Sequence, residues 1–369
     1  MNWRPTMSAL AKDLESWLSA HAEQLDAEAK DAALILPALA GESLFGIGLS
    51  EDHGGSGGDV ADAVEAIAAV SEQSLTAGFV FWGHRTFIEY LLQSANTELR
   101  ARLLPDLLAG RRGGATGLSN AMKFLAGIEE LRIKARDASN GSDLILDGKM
   151  PWVTNLRPDG FEVAAAVEGA GQGPAFVGVL SSEDAGLERS ADLELMAMRA
   201  SNTAAITIRG VRIGAERILH PNTSEWLPRV RPAFLGLQCG MSIGLARRAL
   251  EEVRRKLDSG RHVLGQPVES LQEQLQIQIS LLKDGLRNGQ FVEGAAGLFQ
   301  IRIELADIAA AAVQLELQAS GGAAYLSKPG RDIQRRLREV AFIPLVTPSL
   351  VQLKSALHAS GPTQQVAVA

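Results

Sequence analysis

The segment "LDGKMPWVTN" combines two residues that suit a planar ligand. Trp152 offers a flat apolar surface, and Thr154 offers a hydroxyl group that can donate a hydrogen bond. Taken alone, the pair also fits a strand-end tryptophan in the core followed by a threonine at a turn. Other motifs in the chain must decide between these two interpretations.

The sequence contains one thiol and few histidines that could do chemistry. Cys239 lies in the apolar segment "LGLQCGMSIGLA", which predicts a buried and inert thiol. A single cysteine excludes an internal disulfide and a cysteine-cluster metal site, and we expect no metal. His84, in "FWGHRTF", is a weak catalytic candidate, because a lone histidine on a helix is more often structural or exposed.

Carboxylates are missing from the end of the chain. No Asp or Glu occurs from Val340 to Ala369. The nearest acid is Glu339, a second weak catalytic candidate. We expect Glu339 to pair instead with an arginine of the segment "RRLRE".

The composition excludes several classes of function. The 369 residues include 43 acidic and 36 basic side chains, a net charge of −7, and the basic residues form no long run. Nucleic-acid binding is therefore not expected. The start of the chain lacks the cationic and apolar regions of a signal peptide, and no apolar stretch is long enough to span a bilayer. We expect a cytoplasmic protein with no membrane partner.

Hydrophobic periodicity divides the chain into three sections. Residues 1–112 predict an N-terminal helical domain, with Leu10, Leu14 and Leu18 on one helical stripe. Residues 113–222 hold short apolar runs around turn signals such as "ASNGSD", which predict a middle antiparallel β domain. Residues 223–369 hold long amphipathic stretches that predict a C-terminal four-helix bundle. The predicted class is mainly α with a central β domain.

Five motifs, in this order, resemble those of the acyl-CoA dehydrogenase family. They are "GIGLSEDHGGSGGDVADAVEAIAAVSE", "LDGKMPWVTN", "RASNTAAITIRGVRIGAERIL", "GRHVLGQPV" and "QASGGAAY". Two departures are visible, since Leu264 stands where the family has Phe and Ala324 where it has Gly. The matches run from about residue 46 to residue 346. The resemblance implies the family's fold, which agrees with the three predicted sections, and a flavin cofactor.

The resemblance also assigns roles to particular residues. It implies that Trp152 and Thr154 contact the isoalloxazine ring and that Ser119, in "GLSNAM", bonds its pyrimidine end. Arg261 is implied to reach the cofactor's pyrophosphate, and the segment containing Gln318, Gly321 and Gly322 to approach its ADP half. In the family these last two segments contact a flavin bound mainly by a neighbouring subunit. A homodimer or homotetramer with FAD is therefore implied.

Two further departures concern phosphate and proton chemistry. Leu125 stands near the position at which the family has a phosphate-binding serine. Part of the family's binding interaction with the cofactor or the substrate is therefore missing. FMN is an alternative to FAD. Thr347 stands where most of the family has the catalytic glutamate. A minority of the family takes that glutamate from the first bundle helix, near Ala233 here, and Glu225 lies about two turns earlier. A threonine hydroxyl is not a base near neutral pH.

Three functions are compatible with these residues. The first is a FAD-dependent oxidoreductase that oxidises a CH–CH group of an acyl-thioester-like substrate, with a displaced base or feeble activity. The second is a two-component flavin monooxygenase of the same superfamily, which needs no base for an α-proton. The third is a flavin-binding protein with little catalysis. The expected partners are a small-molecule substrate, such as an acyl-CoA, and an electron-transfer flavoprotein or a flavin reductase.

Overall fold

The computed structural model describes residues 10–125, 127, 129–139, 141, 143–258 and 260–359. Within these residues a helical part comes first, a β part follows, and a second helical part ends the chain. The predicted class, mainly α with a central β domain, is confirmed. No helix formed by the described residues is both long and apolar enough to cross a membrane.

The first helical part contains five helices. They are α1 (Lys12–Ala27), α2 (Ala32–Gly41), α3 (Val60–Gln73), α4 (Leu75–Leu92) and α5 (Thr97–Leu108). A capping box formed by Asp59 and Asp62 begins α3, and the hydroxyl of Ser74 accepts a hydrogen bond from the third residue of α4. Helix α4 is buried along almost its whole length, which explains its lack of a polar face.

The β part consists of two four-stranded sheets and a short helix, α6 (Ser119–Leu125). Its strands are β1 (Gly113–Thr116), β2 (Ile133–Asp137), β3 (Leu144–Val153), β4 (Phe161–Val167), β5 (Phe176–Ser181), β6 (Leu187–Asp192), β7 (Ala204–Ile213) and β8 (Ile218–His220). The sheet orders are β1-β4-β5-β8 and β2-β3-β7-β6. The predicted hairpin is present, because β2 and β3 pair antiparallel. One pairing differs from the expected antiparallel pattern: β1 runs parallel to β4.

The second helical part contains α7 (Thr223–Arg254), α8 (Gly265–Arg287), α9 (Gln290–Glu293), α10 (Ala296–Ser320), α11 (Arg331–Phe342) and α12 (Leu350–Ala359). Helix α7 begins where the side chain of Asn222 caps two backbone N–H groups. It packs closely on α3, because a Cβ at Gly240 would lie 2.7 Å from the carbonyl oxygen of Val64 and one at Gly244 only 2.2 Å from that of Ala68. The two glycines therefore allow the helix backbones to approach.

One apolar core joins the two helical parts. Leu18 of α1, Ile67 of α3, Leu245 of α7 and Leu305 of α10 are all buried within it. The β part has a second core between its two sheets. The β part is thus attached to a single helical body, and the functional residues must be sought where the two meet.

Candidate functional site

Trp152 and Thr154 lie at the end of β3, and their burial differs sharply from that of Val153 between them. The side chain of Trp152 is 62% exposed, whereas Val153 is 1% exposed. A register shift between β3 and β7 explains this contrast, because it lies between Met150 and Val153, which both enter the core between the sheets, and leaves Trp152 outside that core. An exposed tryptophan at a strand end offers a flat apolar surface to a ligand.

A chain of three hydroxyl groups fixes Thr154. Its Oγ1 lies 3.1 Å from Oγ1 of Thr203, which in turn lies 2.8 Å from Oγ of Ser201. Thr203 directly precedes β7, the strand that pairs with β3. The segment "RASNT" therefore orients the hydroxyl of Thr154 through side-chain hydrogen bonds.

The backbone around this hydroxyl chain is held in the left-handed region. Asn155, Met198 and Asn202 have φ of 66°, 56° and 48°, and Ser43 is the fourth such non-glycine residue among those described. Asn155 N–H donates to the carbonyl of Ser201 at 2.9 Å. Left-handed residues other than glycine are uncommon and persist where the surrounding structure over-determines them. Three of them beside Thr154 mark this turn as a candidate site.

Asp26 ties the turn to both helical parts. Its fully buried carboxylate accepts a hydrogen bond from the backbone N–H of Met198 at 2.8 Å. Arg338 of α11 donates to the other carboxylate oxygen from Nη2 at 2.6 Å. A residue of α1 therefore links α11 to the turn that carries Thr203. Sequence reasoning missed Asp26, because nothing in its local segment distinguishes it.

Ser119 lies close to β3. It is the first residue of α6 and is half-buried, as is Leu125 at the end of this helix. Gly117, two residues before Ser119, touches β3: a Cβ there would lie 2.4 Å from Sδ of Met150. Met150 is two residues before Trp152 on β3, so Ser119 and Trp152 lie on neighbouring segments.

The other predicted cofactor residues form a second group, in the second helical part. Gly321 ends α10 with φ of 57°, and a Cβ on it would lie 3.6 Å from Nη2 of Arg261. Gln318 and Gly322, on either side of it, are exposed. Arg261 and the segment "QASGG" are therefore adjacent, on the turn before α8 and at the end of α10. By contrast, Ser119, Trp152 and Thr154 belong to the β part.

His84 is a structural residue. Its Nε2 lies 2.9 Å from the carbonyl of Leu107, and its Nδ1 accepts from the backbone N–H of Gly114 at 2.9 Å. Burial lowers the pKa of His84 to about 4, so the ring is neutral near neutral pH. Because both ring nitrogens are bonded to backbone groups, neither is available to transfer a substrate proton. The weak catalytic assignment of His84 is therefore withdrawn.

Glu339 is also engaged within the protein. Its side chain is 1% exposed and accepts from Arg335 Nη1 at 2.9 Å and from the backbone N–H of Leu75 at 3.3 Å. Burial raises the pKa of Glu339, and Arg335 opposes this effect. The expected pairing within "RRLRE" is present. We therefore also withdraw Glu339 as a catalytic candidate, because its carboxylate caps the N-terminus of α4.

Thr347 lies in the α11–α12 loop, which we define as residues 343–349. It is half-buried, and its carbonyl oxygen accepts a hydrogen bond from Nε2 of Gln238 at 3.1 Å. Ala233 is buried in the same helix, α7, about five residues before Gln238. Glu225 is exposed in the first turn of α7 and bonds Asn222 at 2.7 Å. Neither position at which a base was expected carries a carboxylate.

Comparisons with known proteins agree with this architecture. The chain has the fold of butyryl-CoA dehydrogenase from Megasphaera elsdenii, with a TM-score of 0.79 over 98% of this chain and 99% of that one, at 14% identity. A dibenzothiophene monooxygenase from Paenibacillus sp. A11-2 shares the fold, with a TM-score of 0.73 over 94% of each chain, at 18% identity. The chain thus shares its fold with this acyl-CoA dehydrogenase and with this monooxygenase.

Sequence matches narrow this class. Residues 8–111 match the family model described as acyl-CoA dehydrogenase, N-terminal domain. The protein named probable acyl-CoA dehydrogenase YngJ, from Bacillus subtilis (strain 168), is 24% identical over 354 residues, which cover 89% of either chain. The chain is a divergent relative of the acyl-CoA dehydrogenases in both sequence and fold. Its relatives are flavoproteins and oxidoreductases.

Proposed function

We propose that the protein is a FAD-dependent oxidoreductase of the acyl-CoA dehydrogenase type, acting on the CH–CH group of an acyl-thioester-like substrate. Because Thr347 replaces the usual base, it should turn over ordinary straight-chain acyl-CoAs slowly or not at all. The observation that carries the proposal is the pairing, at one strand end, of an exposed Trp152 with an oriented Thr154 hydroxyl. A buried core tryptophan would not offer its surface to a ligand. These residues fit a flavin ring, which has a flat apolar face and a polar edge.

In this proposal the residues divide the cofactor between them. Trp152 covers one face of the ring and excludes water there, Thr154 donates to the ring edge, and Ser119 bonds the pyrimidine end. Arg261 and the segment with Gln318, Gly321 and Gly322 approach the phosphates and ADP half from a second subunit. A guanidinium group suits phosphate oxygens, and glycines without Cβ atoms allow close approach. When bound, the flavin would supply hydride acceptance from a substrate, or oxygen activation in its reduced form.

The split site gives the proposal its test. Titration of the apoprotein with FAD, followed by absorption and static light scattering, should give a yellow protein with at least the mass of a dimer. Variants Arg261→Ala and Trp152→Ala, mixed in equal amounts, should recover part of the affinity that each loses alone, since the mixed dimer holds one intact site. A monomer that binds FAD tightly would contradict the shared site. FMN, titrated in parallel, should bind more weakly than FAD.

A second candidate is a two-component flavin monooxygenase, supplied with reduced flavin by a reductase. One observation favours it: Thr347 and Ala233 stand at the two expected base positions, while Glu339, His84 and Glu225 are bonded within the protein. An α-proton of a thioester needs a base, whereas oxygen transfer from a reduced flavin does not. Chemically reduced holoprotein, mixed with oxygen, distinguishes them. Oxygen consumption that accelerates with an organic substrate supports a monooxygenase; electron transfer only to an electron-transfer flavoprotein supports a dehydrogenase.

A further inference from the structure

The α11–α12 loop is bonded at both ends to two buried side chains. Arg302 of α10 donates from Nη2 to the carbonyl of Ile343 at 2.7 Å and from Nε to Oε1 of Gln238 at 2.8 Å. Gln238 of α7 donates in turn from Nε2 to the carbonyl of Thr347 at 3.1 Å. The three hydrogen bonds form one continuous path from the carbonyl of Ile343 through Arg302 and Gln238 to the carbonyl of Thr347.

The guanidinium group of Arg302 lies on this path, and burial disfavours its charged form. Arg302 is 0% exposed, and burial lowers the pKa of its guanidinium group. Among the residues described, no carboxylate contributes to the pKa shift of Arg302, and its Nη1 has no hydrogen-bond partner. A buried charge without a counter-charge is a weak source of stability compared with an apolar side chain of similar size. Its retention requires an explanation other than stability.

The geometry of Arg302 supplies that explanation. A guanidinium group is a rigid planar fork that donates in several fixed directions at once. Here one edge fixes the loop directly at Ile343, and another fixes the amide of Gln238. Because Oε1 of Gln238 must face the guanidinium group, its Nε2 must face the loop. Arg302 thus decides which end of the Gln238 amide meets Thr347.

We propose that Arg302 and Gln238 are positioning residues that fix the α11–α12 loop, and with it the side chain at Thr347. The inference rests on the proposed function only for the importance of Thr347 to substrate. It deepens that function by naming the two residues that fix the position of Thr347, which stands where the family usually has its base. Neither residue is expected to touch substrate or cofactor.

A thiol reporter in the loop tests the proposal without flavin or substrate. Val346, adjacent to Thr347, is 6% exposed, and Val346→Cys places a thiol there. The native Cys239 is fully buried, and burial raises its pKa to about 12, so it alkylates slowly. Val313→Cys, at a 0% exposed position of α10, is the matched reporter of global opening. Alkylation rates with iodoacetamide are measured for both reporters.

Gln238→Glu is the decisive variant. A glutamate still accepts from Arg302, but it has no N–H to donate to the carbonyl of Thr347. We expect the Val346→Cys thiol to react at least tenfold faster in this background, with no change at Val313→Cys. Gln274→Glu, the same change at an exposed position of α8, should alter neither rate. Arg302→Lys, which keeps the charge but loses the fork, should resemble Gln238→Glu.

Two outcomes would overturn the proposal. An unchanged rate at Val346→Cys in folded Gln238→Glu and Arg302→Lys would show that the pair does not hold the loop. Equal acceleration at both reporters would show that the pair contributes to global stability and not to local position. Because the assay contains no cofactor, either result is independent of whether the proposed oxidoreductase function is correct.

Discussion

The hydroxyl groups of Thr154 and Thr203 lie 3.1 Å apart and join the end of β3 to the start of β7. This contact connects the residue proposed to meet the flavin edge with the turn at "RASNT". In that turn the carbonyl of Ser201 accepts from the backbone N–H of Asn155, and the backbone N–H of Met198 donates to the carboxylate of Asp26. The position of Thr154 therefore depends on residues distant in the sequence.

Thr203→Val should weaken flavin binding although Thr203 itself need not touch the cofactor. Valine keeps the shape of threonine but leaves the hydroxyls of Thr154 and Ser201 without their shared partner. A net hydrogen bond contributes about 1 kcal/mol, so we expect a roughly fivefold higher Kd for FAD. Fluorescence titration measures it, and Thr207→Val, further along β7, is the control. An unchanged Kd in Thr203→Val would remove the orienting role of the hydroxyl chain.

Trp152→Ala should separate cofactor binding from stability. Because Trp152 is 62% exposed in the cofactor-free chain, its truncation should change the free energy of unfolding by no more than about 0.5 kcal/mol. Flavin affinity should fall and the flavin absorption band should shift. Trp226→Ala is the contrasting variant: Trp226 is 1% exposed, and its loss should cost about 3–5 kcal/mol. Equal destabilisation by the two changes would show that Trp152 is a core residue.

His84 should make stability depend on pH in the acidic range. Its folded pKa, about 4, lies below the usual value of 6.5, so the unfolded chain binds the proton first. Stability from this residue is complete above pH 6.5 and is lost as pH falls toward 4, by on the order of 3 kcal/mol. Urea unfolding at pH 7.5, 5.5 and 4.5 measures the slope. We expect His84→Gln to flatten it, and an identical slope in that variant would contradict the assignment.

Sequence reasoning proposed site residues where motifs are contiguous and missed pairs of residues that lie far apart in the chain. Trp152 and Thr154 stand together in the short segment "LDGKMPWVTN", so one motif was enough to name both. Asp26 and Met198 are 172 residues apart, and Gln238 and Arg302 are 64 apart. An arginine inside the apolar segment "FQIRIEL" was the one local signal for Arg302. The role of this arginine depends on α7, the helix that carries Gln238.

The parallel pairing of β1 with β4 also escaped prediction, for a similar reason. Strand β1 has only four residues, and two of them are glycines. Such a segment has no alternating pattern to identify it as a strand. Its place in the sheet is fixed by pairing with β4, whose seven residues are all buried. The short strand matters to the site, because it leads through Gly117 to Ser119.

Anaerobic mixing of the FAD-loaded protein with a panel of straight-chain acyl-CoAs tests the central claim most directly. A positioned base supplies about 10²–10⁴-fold in rate, and Thr347 and Ala233 supply none. We therefore expect little or no bleaching of the flavin absorption in the wild-type protein. Thr347→Glu restores a carboxylate in the α11–α12 loop and should gain acyl-CoA-dependent bleaching, whereas Thr347→Gln should not. Rapid bleaching of the wild-type protein by an ordinary acyl-CoA would contradict the account.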